Sequence, residues 1–217
     1  MADNLARIRE GIGERPVKLI AVSKYVGAQS VKEAFASGVT EFGESKIADA
    51  LEKQQSLADS CGTQINWHFI GHLQTNKVKK AVGRFSLIHS VDSLKLAQEI
   101  AKTAELLGIV QPVLLQVKIL NDPSKSGFSP DELRECFPTI AALNGITVNG
   151  LMTITPLSCD PCVWSSCFDG LRLLRDDLRA TFGVELKELS MGMSQDWKEA
   201  VNCGATMVRL GQAIFGS

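Results

Sequence analysis

Residues 112–120, with the sequence Pro-Val-Leu-Leu-Gln-Val-Lys-Ile-Leu, decide the fold because they form a β-rich run that is almost entirely apolar. Such a strand is typical of a parallel sheet whose two faces are both covered by helices. On either side of it, further β-rich runs alternate with stretches of helical periodicity. The predicted strands are residues 18–24, 40–43, 67–71, 87–91, 112–120, 147–154, 186–192 and 207–211.

Eight strands, each followed by helix-like sequence, predict an α/β fold of the (β/α)8 TIM-barrel type, with residues 1–217 as one domain. The alternative is an open doubly wound sheet, which normally has a G-x-G-x-x-G turn after its first strand. No such turn follows Lys24. Residues 1–13 predict an extra amino-terminal helix, which we expect to cover one end of the barrel.

Two of the barrel helices have distinct signals. The helix after the fifth strand begins with a capping box, in which Ser129 caps, Pro130 takes the first helical position and Glu132 reaches back. Leucine and phenylalanine side chains three or four positions apart predict another helix over residues 168–182. The segment 75–82 is also predicted to be helical.

The composition excludes several classes of protein. The chain has 217 residues, of which 23 are basic and 24 acidic, so a net charge of −1 gives no electrostatic case for nucleic-acid binding. No apolar run approaches the roughly 18–20 residues of a membrane span. The amino terminus lacks the apolar stretch of a secretory signal. We therefore expect a cytoplasmic protein whose six cysteines are reduced.

Polar residues and glycines collect at the predicted carboxyl ends of the strands, where barrel active sites form. Strand seven ends in Ser190-Met-Gly-Met-Ser194, and strand eight ends in Arg209-Leu-Gly-Gln212. Glycine lets the backbone approach an anion closely, and these two loops build the usual phosphate site of this barrel. The sequence thus predicts a phosphate site here, with two tight turns as the alternative.

Lys24 closes the apolar first strand, so we expect its stem to be walled by the barrel. A lysine desolvated in this way can attack a carbonyl. The alternative is a lysine whose side chain extends out of the barrel mouth into water. A lysine facing a phosphate site suggests either pyridoxal phosphate or a sugar phosphate in an aldolase. Arg209 favours the former, because arginine is one known partner of the pyridine nitrogen. The alternative roles for Arg209 are a contact with the phosphate or a buried ion pair.

At this point the sequence resembles the pyridoxal-phosphate homeostasis proteins, which are single-domain relatives of the amino-terminal barrel of alanine racemase. The resemblance covers nearly the whole chain, and the order of its motifs makes it specific. The matching motifs are AVSK (21–24), FGES (42–45), WHFIGHLQTNK (67–77), SKSG (124–127), GLMT (150–153), LSMGMS (189–194) and MVRLGQAIFG (207–216).

The resemblance implies a fold-type III barrel that holds pyridoxal 5'-phosphate as a Schiff base on Lys24. It implies that Arg209 faces the pyridine nitrogen and that Ser45 and Met152 line the cofactor. The residues implied to hold the phosphate are Ser190, Gly192, Met193, Ser194, Gly211 and Gln212. Two positions depart from the family pattern, since Ser45 stands where asparagine is usual and Gln212 where threonine or serine is usual.

The resemblance also implies a role in vitamin B6 and amino-acid or keto-acid balance, without dedicated turnover. The enzyme alternative is a racemase or a Schiff-base aldolase, and the third class is a regulatory module that binds another protein. Racemisation by two bases needs groups on both faces of the substrate. The only tyrosine, Tyr25, is expected to be a wall residue, and little chain follows strand eight. We expect a monomer that makes at most transient contacts with apo-enzymes or a regulatory protein.

No metal site is predicted. Cys159, Cys162 and Cys167 lie together in the sequence, but a zinc site usually has four ligands in paired spacings. His68 lies inside a predicted strand and is expected to be a hydrogen-bonded structural residue. His72 could contact a ligand or belong to the polar surface. Residues 124–127 could be a lid or only a turn.

Overall fold

Eight parallel strands form a closed barrel at the centre of the protein. The computed structural model describes residues 1–61, 64–120, 125–156 and 160–216. The strands pair in chain order, and β8 closes the barrel by pairing with β1. This confirms the predicted (β/α)8 barrel. The strands are β1 Lys18–Val22, β2 Glu41–Glu44, β3 Asn66–Phe69, β4 Leu87–Val91, β5 Gln111–Gln116, β6 Ile146–Met152, β7 Glu188–Ser190 and β8 Met207–Leu210.

Helices surround the barrel and bury one face each against it. They are α1 Ala2–Ile12, α2 Ala28–Ala36, α3 Ile47–Leu57, α4 Val78–Ala81, α5 Leu94–Leu106, α6 Pro130–Ala141, α7 Pro161–Phe182, α8 Trp197–Asn202 and α9 Gln212–Phe215. The predicted capping box of α6 is confirmed, with reciprocal bonds between Ser129 and Glu132. Among the described residues, no helix is long and apolar enough to cross a membrane.

Most strands end one to four residues earlier than predicted, and the early end of β1 places Lys24 outside the strand. β1 ends at Val22, since the chain turns there, with the Val26 amide donating to the Ser23 carbonyl at 3.1 Å. Lys24 therefore lies in the loop after β1 and is exposed. The expectation that the barrel walls its stem was wrong, because a lysine beyond the last strand pair meets water.

The amino-terminal helix runs down the outside of the barrel instead of covering one end. Near its start, the Asn4 amide donates to the Ile214 carbonyl after β8, at 3.1 Å. Near its end, Arg9 donates to the carbonyl of Ser37, which follows α2. The ring of Trp197 packs beside Gly11. Because α9 has four residues, α1 takes the place of an outer helix between α8 and α2.

Helix α7 begins seven residues before the predicted start at Phe168. The Asp160 side chain accepts a hydrogen bond from the Cys162 amide at 2.9 Å, and Pro161 takes the first helical position. An aspartate followed by proline is a known start signal that the apolar periodicity did not include. Cys162 and Cys167 consequently lie in a helix, while Cys159 is outside the described residues.

The inside of the barrel is filled by a small apolar cluster separate from the layer under the helices. Its members are Ile20, Leu87, Leu114, Met152 and Met207. Since these side chains come from different strands, they hold the barrel together below the strand ends. The rest of the core lies between the outer face of the strands and the helices.

We expect Leu114→Ala to lower the free energy of unfolding by about 2–5 kcal/mol, because Leu114 is fully buried and its loss leaves a cavity. Urea denaturation checks this, with Leu106→Ala as the control, since Leu106 is 76% exposed. Equal stability losses in the two variants would contradict the inner cluster's role.

Candidate functional site

A cavity of about 560 Å³ opens among the loops at the carboxyl ends of the strands. This size is ordinary for a small-molecule site. Most of the predicted site residues meet there. The predicted residues that line it are Lys24, Ser45, Met193, Ser194, Arg209, Gly211 and Gln212.

Three predicted site residues lie elsewhere. Met152 packs in the inner cluster of the barrel and is 1% exposed. The Ser190 hydroxyl is buried and bonded to His89 and Arg209. Gly192 has a φ of 91°, and a side chain there would collide with helix α8. These residues shape the surroundings of the cavity, but they do not form its wall.

Lys24 stands at the cavity mouth as an accessible amine. Its Nζ lies 4.8 Å from the centre of the Tyr25 ring, which is 86% exposed. Both side chains line the cavity, so the Lys24 amine and the Tyr25 ring lie together at its wall. An accessible amine at this position can react with a carbonyl compound in the cavity.

The loop after β7 is a tight turn held by one carboxylate. Asp196 Oδ1 accepts from the Met193 amide at 2.6 Å, and Asp196 Oδ2 accepts from the Thr155 hydroxyl at 2.6 Å. Within the described part of the chain, the amides of Ser194 and Gln195 have no acceptor. Backbone donors of this kind suit an anion such as phosphate.

The loops after β7 and β8 are joined by Ser194, whose hydroxyl accepts from the Ala213 amide at 3.2 Å. Gly211 lies at the end of β8, where a side chain would come within 3.1 Å of the Val22 carbonyl. This close approach brings the end of β8 against the end of β1. The predicted phosphate loops therefore lie on the same cavity as Lys24.

Arg209 reaches the cavity from β8 but is almost wholly buried. Its Nη1 donates to the Ser190 hydroxyl at 2.7 Å, and its Nη2 donates to the Thr153 carbonyl at 2.9 Å. Burial lowers the pKa of Arg209 to about 10, against the opposing effect of Asp196. The guanidinium consequently keeps its charge at neutral pH in a fixed orientation.

Comparisons with known proteins agree with this geometry. The family model for the alanine racemase N-terminal domain matches residues 1–217. A pyridoxal phosphate homeostasis protein of Synechocystis is 42% identical over 200 residues, covering 92% of this chain and 91% of its own. One from Aquifex aeolicus is 42% identical over 208 residues, covering 96% and 90%. The chain belongs to the pyridoxal phosphate homeostasis protein family.

Solved structures extend the family match to the whole fold. PipY of Synechococcus elongatus, with PLP bound, has a TM-score of 0.93 and 40% identity, and the match covers 99% of both chains. Alanine racemase of Clostridium difficile has a TM-score of 0.81 at 18% identity over 99% of this chain and 58% of its own. The second likeness shows the barrel fold alone.

Beside Lys24, the family's FGE motif contributes to a buried ionic cluster that the sequence analysis missed. Glu44 Oε1 accepts from the Lys53 amine at 2.6 Å and from the Ser23 hydroxyl at 2.6 Å. Lys53 also donates to the Ser23 carbonyl at 2.7 Å. The cluster thus fixes Ser23, which precedes Lys24, and Glu44, which precedes Ser45. A lysine on the apolar face of α3, three residues after Ala50, was the available signal.

The histidines have separate roles. His68 is buried and bonded to Glu41 and His89, which confirms the structural role predicted for it. His72 is exposed and lies 3.1 Å from Asp92, outside the cavity lining. His89 was not singled out by the sequence, since a histidine inside an apolar strand gives no local sign of its partners.

The cysteine motif does not assemble a metal site among the described residues, where no three metal-ligating side chains come together. Cys162 is exposed, whereas Cys167 is buried. Burial raises the pKa of the Cys167 thiol to about 11, so it stays protonated at neutral pH. In the segment 124–127, for which a lid or a turn was expected, Ser124 lies outside the described residues and Lys125 lines the cavity.

Proposed function

We propose that this protein binds pyridoxal 5'-phosphate in the cavity and holds it through Lys24. The observation that carries the proposal is the convergence of three groups on one cavity: an accessible amine, a buried guanidinium and a turn whose Ser194 and Gln195 amides have no acceptor among the described residues. The bound PLP of PipY, a relative with nearly the same barrel, supports the choice of ligand.

The residues present fit this ligand. The amides of Ser194 and Gln195 suit its phosphate. Arg209 suits the pyridine nitrogen, because a guanidinium that is charged at neutral pH donates and leaves that nitrogen unprotonated. The cofactor supplies an aldehyde. The Lys24 amine adds to the aldehyde carbon, an imine forms, and one water molecule leaves.

The proposed role is vitamin B6 and amino-acid or keto-acid homeostasis in the cytoplasm, by a monomer without dedicated catalysis. Exposure of Lys24 supports it, since water can reach the imine and release the cofactor to an apo-enzyme. The two oxygens of Asp196 are already engaged, which makes this carboxylate a poor second base. Tyr25, at 86% exposure, is poorly placed for proton transfer inside a closed site.

Borohydride reduction of the protein after incubation with pyridoxal 5'-phosphate tests the proposal. Hydride converts the imine to a stable secondary amine, and peptide mass analysis then locates the pyridoxyl group. We expect one modification, on Lys24. An adduct only on Lys125, the other cavity lysine, or a pattern spread over surface lysines would contradict it.

A racemisation assay with amino acids tests the proposal that the protein has no dedicated catalytic activity. We expect loaded protein to racemise alanine no faster than free pyridoxal phosphate does. Robust turnover would refute a function without dedicated catalysis while leaving the binding site intact.

A further inference from the structure

A continuous chain of hydrogen bonds crosses the barrel from the end opposite the cavity to Arg209. It begins at Glu41, whose Oε2 lies 2.6 Å from His68 Nε2. His68 Nδ1 lies 2.9 Å from His89 Nε2, and His89 Nδ1 lies 2.8 Å from the Ser190 hydroxyl. The hydroxyl in turn accepts from Arg209 Nη1 at 2.7 Å. The chain therefore links β2, β3, β4, β7 and β8.

The ends of the chain determine the direction of every bond in it. A carboxylate only accepts, so His68 Nε2 donates to Glu41, and a guanidinium only donates, so Ser190 accepts from Arg209. With neutral histidines, His89 donates to His68 and Ser190 donates to His89. All five groups are then satisfied, with both rings protonated on Nε2.

The opposite arrangement leaves a buried donor without a partner. If His68 donated to His89, then His89 would donate to Ser190, whose oxygen already accepts from Arg209. Within the described residues, the Ser190 hydroxyl hydrogen would have no acceptor. An unmet buried donor costs about 1–3 kcal/mol, so the direction from Arg209 to Glu41 is favoured.

The charges around the chain agree with this direction. Burial, assisted by the positive charges of Arg209 and Lys18, holds the pKa of His89 well below its usual range, so its ring is neutral. Burial acts to raise the pKa of Glu41. Hydrogen bonds from His68 and Asn66, with the positive charge of Lys18, outweigh it and keep Glu41 ionised.

We propose that Glu41, His68, His89 and Ser190 form a positioning chain, in which the Glu41 carboxylate sets the orientation and hydrogen bonding of Arg209 at the cavity. The direct acceptors of the buried guanidinium, a hydroxyl and a carbonyl, are both neutral, and Asp196 is the carboxylate whose charge acts on it. Glu41 therefore acts on Arg209 through the hydrogen-bond chain. The effect on ligand binding rests on the proposed function, whereas the tautomers of the two histidines do not.

The test is Glu41→Gln, which keeps the shape but can either donate or accept, so the direction of the chain is no longer imposed. Nitrogen-15 NMR of the histidine rings in ligand-free protein reads the tautomers directly. We expect only the Nε2-protonated form of His68 and His89 in the wild type, and a second form of His89 in the variant. The matched control is Glu188→Gln, at the same end of the barrel and outside the chain.

Titration with pyridoxal 5'-phosphate provides the functional measurement. We expect affinity to fall about fivefold in Glu41→Gln and to stay within twofold in Glu188→Gln, with both proteins folded at the temperature of the titration as judged by thermal melting. His89 protonated on Nδ1 in the wild type would overturn the chain, as would a Glu41→Gln protein with wild-type tautomers and affinity. The predicted tautomers in a wild type that binds no cofactor would support the chain and count against the proposed function.

Discussion

Lys24→Ala protein is expected to form no borohydride-stable pyridoxyl adduct and to bind pyridoxal 5'-phosphate at least tenfold more weakly than the wild type. The reason is that the only covalent attachment in the proposed site is the imine with this amine. The amides of Ser194 and Gln195 and the guanidinium of Arg209 remain. The variant should consequently keep weak binding that is lost on dialysis. Equilibrium titration and mass analysis measure the two effects separately.

The control for this prediction is Lys125→Ala, which removes the other cavity lysine. Its covalent adduct on Lys24 should persist at wild-type yield. Because Lys24 is exposed and Lys125 is only half-buried, neither substitution opens a cavity in the core, and both proteins should melt near the wild-type temperature. Retention of the adduct in Lys24→Ala, or its loss in Lys125→Ala, would refute the assignment of Lys24.

Lys53→Met is expected to lower the free energy of unfolding by about 3–5 kcal/mol, because it leaves the fully buried Glu44 carboxylate without its cation. The Ser23 carbonyl loses a donor at the same time. Since Ser23 precedes Lys24, adduct formation should also be slower under native conditions. Urea denaturation measures the first effect, and the rate of imine formation measures the second.

Two comparisons isolate the buried pair from a general effect of losing a lysine. Lys32→Met, on the exposed face of α2, should change stability by no more than about 0.5 kcal/mol. Lys53→Met combined with Glu44→Gln should recover part of the loss, because no unpaired charge is then buried. If Lys53→Met is as stable as Lys32→Met, the cluster is not what holds this part of the barrel.

The sequence was sufficient for those features that depend on neighbours along the chain. The alternation of strands and helices and the capping box at Ser129 depend on neighbouring residues, and both are confirmed. The apolar run at 112–120 contains β5, although that strand ends at Gln116. The sequence also predicted that Lys24 and Arg209 would lie near one another, and both line the cavity. The barrel fold brings the carboxyl ends of all its strands to one face, so a strand count was enough to predict a shared cavity.

Local patterns were less informative about where strands end and which side chains face inward. The sequence run around β1 continues past Val22, but only pairing with neighbouring strands decides where regular structure stops. Because β1 ends at Val22, two residues before Lys24, the lysine lies in a loop and is exposed. Similarly, Met152 was implied to line the cofactor, although its direction is set by packing against strands far away in the sequence.

The sequence by itself determined the barrel, the family and the polar residues at the strand ends, because these follow from periodicity and from motifs of adjacent residues. Only the tertiary structure decided the Glu44–Lys53 cluster and the chain from Glu41 to Arg209. Their partners come from different strands and helices, with His89 and Ser190 separated by 101 positions. Closing the barrel places these groups in a space that excludes water, where each polar atom must find a partner within the protein.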